Sequence, residues 1–169
     1  MKGDQIMQAD VYQLLNSQIN KEFQSAYIYL DFYNFFEERS LHGFSSWYKD
    51  QANEEIGHGW KFINFLHDLA RPVTLTPIEH TSQKYASAKE VMEKGLGHEQ
   101  YISQCIRKIY QLAEKEHDYE TQSFLKYFID EQVEEEVNAR ELLAKYKLVN
   151  EKGILSLDSL MAQSTAHEA

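Results

Sequence analysis

Four long stretches of this sequence carry apolar residues at alternating steps of three and four, and only an all-α bundle hides all four seams at once. The first seam runs Val11, Leu15, Ile19, Glu22, Ala26, Tyr29, Tyr33, Phe36, and the second Phe44, Tyr48, Gln51, Glu55, His58, Phe62, Phe65, Leu69. The third is Met92, Gly95, Glu99, Ile102, Ile106, Ile109, Ala113, and the fourth Leu125, Phe128, Gln132, Glu135, Ala139, Leu142, Tyr146. At about 25–35 residues each, the helices are expected to be roughly 40–50 Å long. Seams of this kind pack near 20° in a left-handed four-helix bundle. Breaks at Arg39–Gly43 and at Glu116-His117-Asp118, the latter with Asp118 as an N-cap, predict two antiparallel hairpins. Residues 70–86 contain both prolines, Pro72 and Pro77, and predict one long extended crossover, so that the second and third helices run parallel. The fourth seam fades near Asn150 to Gly153, and Ile154, Leu155, Leu157, Leu160 and Met161 predict a short C-terminal fifth helix.

The 169 residues fit a single domain over 1–169. Its parts are a bundle over about 5–148, the fifth helix over about 154–164 and a frayed tail over 165–169. A hydrophobic content of 43% supplies a core and rules out disorder except at the ends, while Gly 7 and Pro 2 disfavour a turn-rich β fold. The net charge of −10 repels nucleic acid and anionic membrane and favours cations. No window is apolar for long enough to span a bilayer. Cys105 has no second cysteine to pair with, and no basic segment followed by an apolar core opens the chain; both predict a reducing, cytoplasmic location.

The polar interruptions of the seams follow an arithmetic. Glu22 is followed by Glu55 and His58 at separations of 33 and 36, and Glu99 by Gln132 and Glu135 at the same 33 and 36. A constant shift of 77 relates the two sets. Antiparallel packing about each turn brings the members to one height, so six ligand-type side chains converge at mid-bundle. Four buried carboxylates cannot remain ionised together without compensating positive charge, and no Lys or Arg sits in these seams. A pair of divalent metal ions would supply it, because Glu55-x-x-His58 and Gln132-x-x-Glu135 each present two groups along one helical face. Oxygen-rich coordination with one imidazole argues against structural zinc and suits iron or manganese, with iron preferred on chemistry and availability. Glu54, Glu131 and Glu134 lie beside the set, and read equally as a third, more open metal position or as a solvated acidic face. Tyr29, two turns along from Glu22, reads either as a redox-active or hydrogen-bonding neighbour of the site or as core packing. Trp47, Trp60 and the phenylalanines read as core, and His67, His80, His98 and His117 as surface residues.

On these motifs the chain resembles the ferritins, specifically the haem-free bacterial type, over residues 5 to about 165. The stretches that carry the resemblance are Asn20-Lys21-Glu22, Glu54-Glu55-x-x-His58, His98-Glu99-Gln100 and Glu131-Gln132-x-Glu134-Glu135-Glu136. It implies that Glu22, Glu55 and His58 hold a first iron with Glu55 bridging, and that Glu99, Gln132 and Glu135 surround a second. It also implies that Glu54, Glu131 and Glu134 form a third iron position, with Tyr29 as the tyrosine beside the centre. Two features separate the chain from bacterioferritin. Ile56 stands where that relative has a haem-ligating methionine, so no haem is expected, and Gln132-x-x-Glu135 replaces its second Glu-x-x-His, weakening the second position. The resemblance further implies a ferroxidase that oxidises Fe(II) to Fe(III) with O2 or H2O2 and stores ferric mineral in a shell of 24 subunits, the fifth helix lining four-fold contacts. The alternative is a diiron peroxidase or oxygenase without storage, which needs an electron-transfer partner or a substrate cavity; the chain has no rubredoxin-like Cys-rich module. A DNA-guarding mini-ferritin is disfavoured by the complete set of six within one chain, and an inert bundle predicts no dependence on metal.

Overall fold

Three of the four long helices begin where the sequence offers a side chain to satisfy the first free backbone N–H groups. In the computed structural model, which describes residues 10–79 and 82–165 and side chains through Gln163, helix α1 spans Val11–Glu37 and α2 spans His42–Asp68. Helix α3 spans Ala88–Lys115, α4 Tyr119–Val149, and α5 Ile154–Thr165 after a single 3-10 turn at Glu151–Gly153. No strand occurs among the described residues. The predicted bundle start near residue 5, His80 and the tail beyond 165 lie outside them, and α5 runs one residue past its predicted end. Asp10 and Gln13 form a reciprocal capping box on α1. Ser87 caps α3, and Asp118 caps α4 as predicted, accepting from Thr121 N at 2.9 Å.

Helix α2 starts differently. Its N-cap position is Leu41, which has no group to offer, and the missing acceptor comes from α5: Asp158 Oδ1 accepts from Phe44 N at 3.0 Å. The chain reverses at Ser40, whose φ of 56° is left-handed, so Gly43 is not a turn residue and lies inside the first turn of α2. Its lack of a side chain serves packing: a Cβ there would sit 2.0 Å from the Asp158 carbonyl oxygen. Gly43→Ala is therefore expected to push α5 off the bundle and cost about 1–3 kcal/mol. The readouts are a lowered melting temperature and faster proteolysis within residues 150–165, and unchanged values for both would show that α5 is not seated against this turn.

The crossover lies along α1 from end to end. Tyr12 donates to Pro72 O, Asn16 pairs with Thr74 in both directions at 2.8 and 2.9 Å, and Thr76 N donates to Asn20 at 2.7 Å. At the far end Gln83 N and Tyr85 OH both donate to Asp31 Oδ2. This fixes helices α2 and α3 parallel, with antiparallel hairpins α1–α2 and α3–α4.

Nearly all predicted seam positions are buried, and they separate into two apolar clusters. One gathers Tyr29, Phe32, Phe36, Phe44, Tyr48 and Met92, and the other Leu15, Ile19, Phe62, Ile102, Ile106 and Phe128. The polar layer lies between them along the bundle axis. Trp60 is a correction to the predicted core: it is 55% exposed, because it lies two residues off the His58 seam and faces outward. Trp47 is half-buried, with its ring edge-on to Tyr48 at 4.7 Å. Gly59 lets α2 approach α1, since a Cβ there would meet the Phe23 ring at 3.0 Å; nothing in the structure explains Gly57.

Candidate metal centre

Halfway along the bundle the four seams turn polar together. Glu22 of α1, Glu55 and His58 of α2, Glu99 of α3, and Gln132 and Glu135 of α4 are each no more than 4% exposed. Glu22, Glu55 and His58 offer ligand atoms that all lie within 4.8 Å of one another. His58 Nδ1 is 3.5 Å from Glu55 Oε2. Glu22 and Glu55 hydrogen-bond each other, which two carboxyl groups can do only by sharing a proton. On the other side of the layer, Tyr29 donates its hydroxyl to Glu99 Oε1, and Gln132 Nε2 donates to Glu99 Oε2 at 3.1 Å. Tyr29 is thus at once a packed core ring and a hydrogen-bond donor to Glu99.

A second group of three ligands, also within 4.8 Å, consists of Glu54, His58 and Glu131, on the more open side of the layer. His58 Nε2 lies 3.9 Å from Glu131 Oε1, and Gln51 Nε2 donates to Glu54 Oε2 at 3.1 Å. The histidine thus turns one ring nitrogen toward each group. Among the described residues, Glu99, Glu135 and Glu134 belong to neither three-ligand group. Glu134 is exposed, because one residue rotates it about 100° round α4 from buried Glu135.

Burial dominates the electrostatics. It raises Glu22 well above the usual carboxylate range, with Glu55 pushing the same way. Burial also raises Glu55 and Glu99 to about 7, though a hydrogen bond from Glu22 holds the first down and one from Gln132 the second. Glu135 reaches about 9, from burial and then from the charges of Glu99, Glu54, Glu55 and Glu131. Glu54 is raised by burial and by Glu131. His58 is lowered, because burial outweighs the acidic groups round it. A neutral imidazole keeps a lone pair free for a metal. Three atoms of the layer are buried with no hydrogen-bond partner: Glu55 Oε2, His58 Nε2 and Glu135 Oε2. Unmatched buried polar atoms are costly, and electron-pair donors left so in an acidic layer suit cations.

The sequence model described as the ferritin-like domain matches residues 12–149, which takes in nearly all of the four long helices. The chain belongs to the ferritin family. It is 34% identical to the bacterial non-haem ferritin of Campylobacter jejuni over 148 residues, which cover 88% of this chain and 89% of that one. A Bacteroides fragilis relative of the same description is 32% identical over 149 residues, covering 88% and 94%. Among solved structures, the open pore ferritin of the archaeon Archaeoglobus fulgidus superposes with a TM-score of 0.87 at 32% identity, covering 92% of this chain and 96% of that one.

This ferritin surrounds its layer with polar residues that the spacing rule missed. Gln18, fully buried, donates Nε2 to Glu22 Oε1 at 2.8 Å, and Ser103 is 1% exposed beside Gln132. Each lies one helical turn from a glutamate of the set, so extending the rule by four residues in both directions would have found them. His98, expected at the surface, is half-buried: its Nε2 is 2.7 Å from Ser25 Oγ and its ring lies edge-on to Tyr29 at 6.0 Å. α1 passes close to that face of α3, which periodicity in α3 alone does not reveal.

Proposed function

We propose that this ferritin oxidises Fe(II) at a pair of metal positions within each subunit and deposits the ferric product inside a shell of 24 identical subunits. The observation that carries the reading is the trio of unpartnered buried donors, Glu55 Oε2, His58 Nε2 and Glu135 Oε2, in a layer of four buried glutamates. Glu22, Glu55 and His58 hold the first iron, with Glu55 bridging, and Glu99, Gln132 and Glu135 surround the second. Glu54 and Glu131, with His58 beside both, form the third position, and Glu134 adds its charge from the exposed face of α4. Tyr29 keeps Glu99 oriented.

Hard anionic ligands favour Fe(III) over Fe(II), which drives electron loss, and two irons held together can each give one electron to a shared O2 or H2O2. Ferric iron then hydrolyses and releases protons, a step that mineral storage confines to an enclosed space. Among the described residues no helix is long and apolar enough to cross a membrane, and the acidic balance draws cations toward the shell. Ile56 offers no ligand to a haem. A cytoplasmic location accords with the unpaired Cys105.

The test is an anaerobic Fe(II) titration followed by oxygen, with particle size measured alongside. A large hollow particle that takes up far more iron than its centres hold supports storage. Two irons per subunit oxidised and no further uptake would instead indicate a diiron peroxidase or oxygenase. No binding at all would leave an inert bundle.

A further inference from the structure

A chain of hydrogen bonds runs from Glu99 through Gln132 toward the bundle surface, ending in two residues, Ser103 and Glu136, that the proposed function leaves without a role. Gln132 Nε2 shares its two protons among the Glu99 backbone carbonyl at 3.3 Å, Glu99 Oε2 at 3.1 Å and Ser103 Oγ at 3.4 Å. Ser103 gives its own hydroxyl proton to Glu136 Oε1 at 2.6 Å. Glu136 in turn has Arg107 Nη2 at 3.9 Å and Arg140 Nη2 at 3.7 Å.

The direction of each bond follows from the inventory of donors. A backbone carbonyl can only accept, so the amide nitrogen of Gln132, and not its oxygen, must face it. A serine hydroxyl has one proton, and here that proton is committed to Glu136, leaving Ser103 only a lone pair to turn toward Gln132. If Ser103 were free to rotate, it could donate to the amide oxygen and offset part of the cost of the flipped amide. A carboxylate is a stronger acceptor than an amide oxygen, so the Ser103 proton stays on Glu136 and the flip would set the Gln132 carbonyl against three acceptors, the Glu99 carbonyl, Glu99 Oε2 and the Ser103 lone pair. Glu99 is held from both sides, by Tyr29 on Oε1 and by Gln132 on Oε2.

We infer that Ser103 and Glu136 are positioning residues for the second metal position: they lock the Gln132 amide, and through it the Glu99 carboxylate, from the surface of the bundle. This rests on the reading of Glu99 and Glu135 as groups of a second ion.

The experiment is an anaerobic Co2+ titration of the assembled protein, followed by visible ligand-field absorption, for wild type, Ser103→Ala, Ser103→Thr and Glu136→Gln. Wild type binds two cobalt ions per chain, the second more weakly. Ser103→Ala and Glu136→Gln weaken only the second step, by about 10-fold, the low end of what losing an outer hydrogen-bond partner costs a metal site. They also change the absorption of the second ion alone, and Ser103→Thr, which keeps the hydroxyl, restores both. An unchanged second step in Ser103→Ala overturns the inference while leaving the centre intact. Equal weakening of both steps, or no rescue by threonine, reduces Ser103 to packing and overturns it as well. Failure of wild type to bind a pair of ions defeats the two-ion reading itself, and the inference with it.

Discussion

Replacing Glu55 by glutamine is expected to abolish rapid Fe(II) oxidation and, in the same protein, to make the metal-free bundle harder to unfold. The first effect follows from position: Glu55 lies against both Glu22 and His58 and is the group proposed to bridge the two ions. A glutamine has one ligand oxygen and no charge. The initial oxidation rate should fall by more than about 100-fold, beyond the 10–100-fold typical of losing an outer partner of a metal site. The second effect follows from burial. The Glu55 carboxyl is pushed up to about 7, chiefly by its removal from water, so at pH 8 the folded metal-free protein carries a charge it would be more stable without. At about 1.4 kcal/mol per pKa unit, an isosteric neutral side chain recovers roughly 2–3 kcal/mol. The new amide can donate to Glu22, which already hydrogen-bonds this position. Stopped-flow oxidation and thermal melting of metal-stripped protein measure the two halves. Wild-type oxidation in the variant would remove Glu55 from the centre, and a lower melting temperature at pH 8 would remove the account of uncompensated charge. Opposite signs for activity and stability are expected where a fold is strained to hold a site.

The fold and the ligand layer were legible in the sequence for one physical reason. In a bundle of straight antiparallel helices, height along the axis and side of the helix are both linear functions of residue number. The 33 and 36 separations therefore translate directly into one polar layer, and burial of all six residues follows. What was not legible depends on the neighbour that covers a given face. His98 tucks under α1, a result that the periodicity of its own helix does not contain, whereas the outward face of Trp60 was already implied by its place two residues off the His58 seam. The cap of α2 was invisible too, because its acceptor, Asp158, comes from 114 residues along the chain. Glu134 was grouped with Glu54 and Glu131 by adjacency, whereas the helical angle turns it to solvent and His58 completes that group. The position of the layer was thus readable from spacing, and its boundary was not.

The same raised carboxylates set an unusual pH dependence. A carboxyl whose pKa is higher folded than unfolded holds more protons in the native state. Its contribution is complete below the unfolded value near 4.5 and is lost as pH rises through the folded value. Glu55 and Glu99 lose theirs through about 7 and Glu135 through about 9, with Glu22 acting in the same sense. His58 works against them: its folded pKa is lowered, so the native state gains as pH rises toward the unfolded value near 6.5. Four carboxyl groups outweigh one imidazole, and the metal-free bundle is expected to lose on the order of several kcal/mol between pH 5 and pH 9. Divalent cations should reverse the trend, because they bind the deprotonated ligands, so affinity rises over the interval in which the empty site grows costly. Melting temperatures at pH 5, 7 and 9, with and without Co2+, measure both slopes, and calorimetry in buffers of different ionisation enthalpy counts the protons released on binding. A metal-free melting temperature that stays flat or climbs to pH 9 would mean that the layer is relieved by something other than a cation, and the case for the centre would fall with it.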